Sequence, residues 1–168
     1  MTVPGKLFLL IGLPGSGKTT LARRLEAECS ALRLSPDEWM APRFGAGESG
    51  EKRWVLESEL LWGVAARALS LGVNVILDYG CWAREERDLF RARTAALGAR
   101  FELHVLDVPH DELWERLKRR NQQLPPDTFP VTREELDEWI GWYEVPTPDE
   151  LTGADSPTFT AHVWTPEP

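Results

Sequence analysis

The stretch Leu7-Phe8-Leu9-Leu10-Ile11-Gly12-Leu13-Pro14-Gly15-Ser16-Gly17-Lys18-Thr19-Thr20 decides the fold. Its first five residues are an unbroken apolar run, the pattern of a parallel strand buried on both faces. Its last three open an amphipathic segment reaching about Cys29, with Leu21, Ala22 and Leu25 on one helical face. Between strand and helix stands Gly-x-x-x-x-Gly-Lys-Thr. Glycines there let the backbone wrap closely and point N–H groups inward at phosphate oxygens. Gly12, Pro14, Gly15, Ser16, Gly17 and Thr20 are therefore expected to cradle phosphate. Lys18 supplies a positive charge to the β- and γ-phosphates, Thr19 a hydroxyl to Mg²⁺, and the helix start its partial positive charge. The expected ligands are ATP and Mg²⁺. A merely glycine-rich turn would not need this strand before it and this helix after it.

Outward from the loop, short apolar runs alternate with longer amphipathic ones. Leu32-Arg33-Leu34 reads as a second strand, stopped by Ser35-Pro36. Pro36 to Gly50 holds Pro42, Gly45 and Gly47 and reads largely as a loop. A long helix is expected from about Glu51 to Leu71, closed by Gly72. Val73 to Leu77 reads as the third strand, Ala83 to Leu97 as a helix, and Phe101 to Leu106 as the fourth strand. Pro109 opens a helix running to Arg120. Asn121 to Pro130 reads as a Pro-rich loop. Thr132-Arg133-Glu134-Glu135 is a capping box that starts a helix to about Tyr143. Thr158 to Trp164 alternates as a last strand would. This order predicts a three-layer α/β/α P-loop NTPase fold, with a parallel sheet of about five strands. We expect one domain over 1–168, a helical lid at about 116–131, and a C-terminal extension at about 145–168. That extension reads as extended chain on the surface, or partly mobile.

The 168 residues suffice for one domain with a real core. No apolar run reaches the roughly 20 residues of a membrane span, and the first run is too short for a signal-peptide core. Two cysteines, Cys29 and Cys81, suggest free thiols in the cytoplasm rather than a disulfide framework. Net charge is −8, and its placement is uneven. From Thr132 onward there is one arginine against nine acids, which accounts for the whole excess. The acidic end argues against a nucleic-acid partner without excluding a local basic pocket. The eight tryptophans read mostly as core or cleft packing. Oligomeric state is not written in the sequence.

Other P-loop classes fit less well. No Asn-Lys-x-Asp base-reading motif is present, as a signalling GTPase would show. The third strand ends in Leu77-Asp78-Tyr79, with one acid where a motor ATPase carries two. A phosphate-transferring enzyme needs an acid at the metal and a group to position the acceptor hydroxyl. Asp78 takes the first role and Asp37, after the second strand, takes the second. Both lie at carboxyl ends of strands, where ligands of open α/β sheets bind. The competing readings are a turn or cap residue for Asp37 and a helix-capping acid for Asp78. Glu38 is an alternative to Asp37. Arg116 and Arg120, four apart on one helical face, lead into the Pro-rich loop, where an arginine can swing onto the transferring phosphate. A solvated basic helix end is the alternative. Which of Arg116, Arg119 and Arg120 points inward stays open. Arg43, Arg53, Trp54, Tyr79 and Trp82 lie near the expected acceptor pocket, with Trp39, Met40 and Phe44. These aromatics either stack on an acceptor or cover the sheet edge.

With these residues in view, the chain resembles the small bacterial P-loop kinases related to polynucleotide kinase, chloramphenicol phosphotransferase, zeta toxins and gluconate kinase. The likeness runs from about Leu7 to Tyr143. It rests on Gly12 to Thr20, Asp37, Val75-Ile76-Leu77-Asp78 and Glu115 to Asn121. It implies that Asp37 activates the acceptor hydroxyl, that the Arg116–Arg120 segment is the lid, and that the reaction is ATP-dependent phosphotransfer. Val75 to Asp78 followed by Arg84 is also similar to nucleoside monophosphate kinases, in which an arginine grips the acceptor phosphate. The glycine-proline spacing of those enzymes is missing here, so that role is not carried to Arg84. The expected acceptor is a hydroxyl of an antibiotic-, nucleoside- or sugar-like molecule. A polynucleotide 5′-hydroxyl kinase and a regulatory ATPase without an acceptor are the alternatives.

Overall fold

In the computed structural model, residues 2–44, 51–126, 128–152 and 158–165 are described, with backbone alone at 41–44. Five strands, β1 (Lys6–Ile11), β2 (Ala31–Leu34), β3 (Asn74–Gly80), β4 (Arg100–Leu106) and β5 (Phe159–Trp164), form one sheet in the order β2-β3-β1-β4-β5. Every pairing is parallel. The five-stranded parallel α/β architecture is therefore as the sequence predicts. Among the described residues no helix is long and apolar enough to cross a membrane. Cys29 and Cys81 are free.

The central strand β1 is sided by its own alternation. Phe8 and Leu10 pack with Leu21, Ala22 and Leu25 of α1 (Lys18–Cys29) on one face. Leu7, Leu9 and Ile11 face the larger core on the other side. That core is covered by α4 (Trp62–Ser70) and α5 (Arg84–Ala96), which contribute Ala65, Leu69 and the fully buried Phe90. A third apolar cluster ties the loop after β1 to the helices after β4. Leu13 of the loop joins Leu113 and Leu117 of α6 (His110–Gln122), Val131 just before α7 (Arg133–Trp142), and Leu136 within it. The capping box at α7 forms as the sequence predicts: the Glu135 N–H donates to Thr132 Oγ1, and the Thr132 N–H to Glu135 Oε2.

Four sequence expectations are corrected. Pro36 to Phe44 is helix, α2, where a loop was expected. Pro36 fits the first turn because its missing N–H has no partner there in any helix, and Asp37 and Glu38 favour the helix's positive end. The glycines Gly45, Gly47 and Gly50 of that expected loop lie outside the described residues. The helix expected from Glu51 is not uniform: α3 (Glu51–Val55) widens into a π-helical stretch, Leu56–Leu61, before α4. β3 runs on to Gly80, so Asp78 sits inside the strand, opposite Leu10 of β1, rather than after it. The C-terminal extension carries a short helix, α8 (Pro148–Thr152), where extended chain was expected. It is held because Arg87 of α5 donates from Nε and Nη2 to Glu150 at 2.8 and 3.1 Å, a buried ion pair. Residues 153–157 and 166–168 of the same extension lie outside the described set.

Candidate active site

The loop between β1 and α1 closes around its glycines. Gly12 has φ 152°, and a Cβ there would come within 2.8 Å of Ser16 Oγ. Gly15 has φ 83°, and its Cβ would press on Leu117 of α6 at 3.1 Å. Both positions combine a left-handed backbone with a wall, so glycine is required for two reasons. Ser16 is buried and its hydroxyl has no partner among the described residues. An orphaned donor in a glycine cradle at a helix start is chemistry that suits phosphate oxygens. Pro14 is half-buried in the loop, and Thr20 stands exposed on the first turn of α1.

Lys18 folds back over the loop. Its ammonium donates to the carbonyls of Gly12 at 2.9 Å and Leu13 at 3.0 Å. Burial lowers its pKa to about 8, Asp78 and Asp37 raise it, and Arg53 and Arg120 lower it further. The charges of four groups from four parts of the chain therefore act on one ammonium. The Trp82 indole N–H donates to the same Gly12 carbonyl at 3.2 Å. Trp82 is set there by the turn after β3, in which Cys81 takes a left-handed φ of 42°, and its ring leans on Trp139 of α7.

Thr19 Oγ1 donates to Asp78 Oδ2 at 3.0 Å. A hydroxyl and a carboxylate this close form a hard oxygen donor pair of the kind that suits Mg²⁺. Burial raises the Asp78 pKa, opposed by Lys18, the Thr19 hydrogen bond and Arg33.

Asp37 lies in the first turn of α2 and is held by Arg53, whose Nη1 is 2.6 Å from Asp37 Oδ1. Arg53 also donates from Nε to Glu57 Oε1 at 2.9 Å. On α6 the three candidate arginines separate. Arg116 reaches back to the Gly15 carbonyl at 3.4 Å and pairs with Glu112. Arg119 is exposed and turns along its own helix to the Glu115 carbonyl. Arg120 is half-buried, donates to the Phe129 carbonyl at 3.2 Å, and keeps a buried Nε without a partner among the described residues. Burial lowers its pKa and the Asp37 charge opposes that shift. Asn121 closes the chain behind them, exchanging two hydrogen bonds with the backbone of Val131.

Not every expected acceptor residue faces the cleft. Tyr79 is buried against Phe90, with its hydroxyl on the Glu57 carbonyl at 3.3 Å, so it belongs to the core. Trp54 packs edge-on to the same Phe90. Trp82 buttresses the phosphate loop. The Arg43 side chain lies outside the described residues. Arg84 turns away to Asp88, Thr147 and Asp149.

Two charged residues of the cleft went unread in the sequence. Glu57 is buried behind Arg53; its i,i+4 spacing from Arg53 was the available signal. Arg33 lies between Glu26, Glu38 and Asp78, with Nη1 3.9 Å from Asp78 Oδ2 and making no hydrogen bond among the described residues. A charge in the middle of a three-residue strand was its only trace.

Comparison with known proteins agrees with this architecture. A family model described as an AAA domain matches residues 7–146. No curated protein matches the sequence. Among solved structures, Chaetomium thermophilum Kti12 in complex with ADP-AlF3 is similar with a TM-score of 0.67 and 21% identity, over 94% of this chain and 89% of that one. A gluconokinase from Sinorhizobium meliloti 1021 gives 0.57 and 17%, over 97% and 84%. The Mycobacterium tuberculosis APS kinase CysC, in complex with AMPPNP and APS, gives 0.59 and 20%, over 83% and 97%. At these identities the likeness is one of fold: a P-loop fold shared with kinases.

Proposed function

Because this chain belongs to the AAA domain family, we propose that it is an ATP-dependent phosphotransferase that moves the γ-phosphoryl group to a hydroxyl of a small molecule. The observation that carries this reading is a pair of acids whose charges act on the Lys18 ammonium: Asp78, which accepts from Thr19 Oγ1 at 3.0 Å, and Asp37, held by Arg53 at 2.6 Å. A switch or motor needs the loop and the metal acid. The added acid at the end of β2 and the lid arginine are what a transfer to an acceptor requires.

In this reading the loop amides, Ser16 and Lys18 hold the triphosphate. Thr19 and Asp78 hold Mg²⁺, which when bound neutralises phosphate charge. Asp37 accepts the hydrogen bond of the acceptor hydroxyl and aims its oxygen in line. The transition state is loose, so orientation matters more than a strong base. Arg120 is the lid arginine best set to meet the transferring group, with Arg116 holding the loop beneath it. Burial has already removed much of Arg120's water, which strengthens its charge at short range.

The test is phosphate transfer from γ-labelled ATP to a panel of hydroxylated antibiotics, nucleosides and sugars, with a 5′-hydroxyl oligonucleotide as a separate arm. Transfer to a small molecule that Lys18→Ala abolishes supports the proposal. Labelling of the oligonucleotide alone would move the acceptor class. Slow hydrolysis with no acceptor in either arm would leave a regulatory ATPase.

A further inference from the structure

Glu57 is a charged side chain only 6% exposed, deep behind the acceptor side of the cleft. It sits in the π-helical stretch, a widened turn of a kind that recurs at functional sites. Widening displaces one turn of the helix, and the Tyr79 hydroxyl binds the Glu57 carbonyl there. The Glu57 carboxylate does not face the cleft directly. It takes Arg53 Nε at 2.9 Å, while Arg53 Nη1 reaches Asp37 at 2.6 Å. One arginine thus stands between two carboxylates, one buried and one half-exposed.

We propose that Glu57 is a positioning residue that shares Arg53 with Asp37, and so leaves Asp37 a net negative charge to spend on the acceptor hydroxyl. The inference rests on the reading of Asp37 given above. With both carboxylates ionised, the three side chains carry one net negative charge. With Glu57 protonated, Arg53 matches Asp37 alone and the group is neutral. The acceptor hydroxyl then meets a weaker acceptor.

The surroundings of Glu57 make that protonation accessible. It is faced by Arg53 on its own helix, Asp37 from α2, Glu86 from α5, Tyr79 from β3 and Cys81 from the turn after it. Burial raises its pKa to about 7; Arg53 opposes the rise, and Glu86 and Asp37 add to it.

The experiment is NMR on the full chain, following the Arg53 Nε–H and the Asp37 carboxyl carbon between about pH 5.5 and 8.5, the range that brackets the Glu57 step. Arg53→Lys assigns the guanidinium signal. Both probes are expected to shift with one shared midpoint near 7, and Glu57→Gln is expected to abolish that midpoint at both. A merely structural Glu57 would not move the Asp37 signal. If Glu57→Gln fails to fold, Glu86→Gln is expected to lower the midpoint in an intact core. Flat traces, or a midpoint that neither variant moves, overturn the sharing and leave the transfer reaction standing. Conversely, transfer that survives Asp37→Ala overturns the role of Asp37 and leaves the titration intact.

Discussion

Trp82 and Gly12, separated by 70 positions, share one hydrogen bond, from the indole N–H to the first carbonyl of the phosphate loop. Lys18 uses the same carbonyl, so the indole helps hold the acceptor on which the unloaded lysine rests. Trp82→Phe keeps the ring against Trp139 and removes the donor. A lost neutral hydrogen bond is worth about 0.5–1.5 kcal/mol. We expect the melting temperature to fall by about 1–6 °C, and a non-hydrolysable ATP analogue to bind up to about 2–12-fold more weakly by calorimetry because the loop loses its support. Unaltered affinity would contradict the assignment.

The lowered Lys18 pKa gives nucleotide binding a direction in pH. Below about 8 the ammonium is charged and ready for phosphate; above it the unloaded protein holds a neutral amine. Affinity for the ATP analogue is expected to fall as pH rises through 8. Binding above that point should take up a proton, because phosphate restores the charge. Calorimetry in two buffers of different ionisation enthalpy measures that uptake directly.

The pair formed by Thr19 and Asp78 makes a separate forecast for metal. Thr19→Val removes one oxygen donor and the hydrogen bond that orders the other. Lost orientation of this kind costs metal sites about 10–100-fold in affinity. The gain in ATP-analogue affinity on adding Mg²⁺ should shrink by that order in Thr19→Val and in Asp78→Asn, while binding in EDTA stays near the parent value.

The buried Arg87–Glu150 pair should dominate a stability scan. Arg87 also donates to the carbonyls of Cys81 and Trp82, at 3.2 and 3.0 Å. Removing one member strands the other charge, at a cost of about 3–5 kcal/mol. Arg87→Met is expected to lower the denaturation midpoint steeply, and Arg87→Met with Glu150→Met to recover much of the loss. A double variant no better than the single one would place the cost in the carbonyl bonds instead.

Much of the architecture was legible because local signals agreed with the fold. The run Leu7–Ile11, the loop after it and the box at Thr132 each state their conformation within a few residues. α2 was missed because proline and glycine read as loop, although proline at a first turn is a helix opener. The extent of β3 was missed because Asp78 looks like a strand terminator. Its burial is made tolerable by Lys18, by Thr19, 59 positions away, and by Arg33. Site residues were legible where chemistry follows local spacing, as at Lys18 and Thr19. They were not where partners come from distant segments, as with Arg33. Tyr79 and Trp54 were misread for a related reason: aromatic composition does not say which side of a sheet a ring takes.

The hold of the C-terminal segment on the turn after β3 reaches beyond stability. The Glu144 N–H donates to the Trp82 carbonyl at 2.9 Å, the Arg84 N–H to Glu144 Oε2 at 2.8 Å, and Glu150 receives Arg87. The turn that supports the phosphate loop is thus completed by residues 60 to 63 positions further along the chain. A nascent chain still lacking them on the ribosome has the whole Gly12–Thr19 motif but not its buttress. The loop therefore gains that support only once residue 150 has emerged, well after its own residues are made.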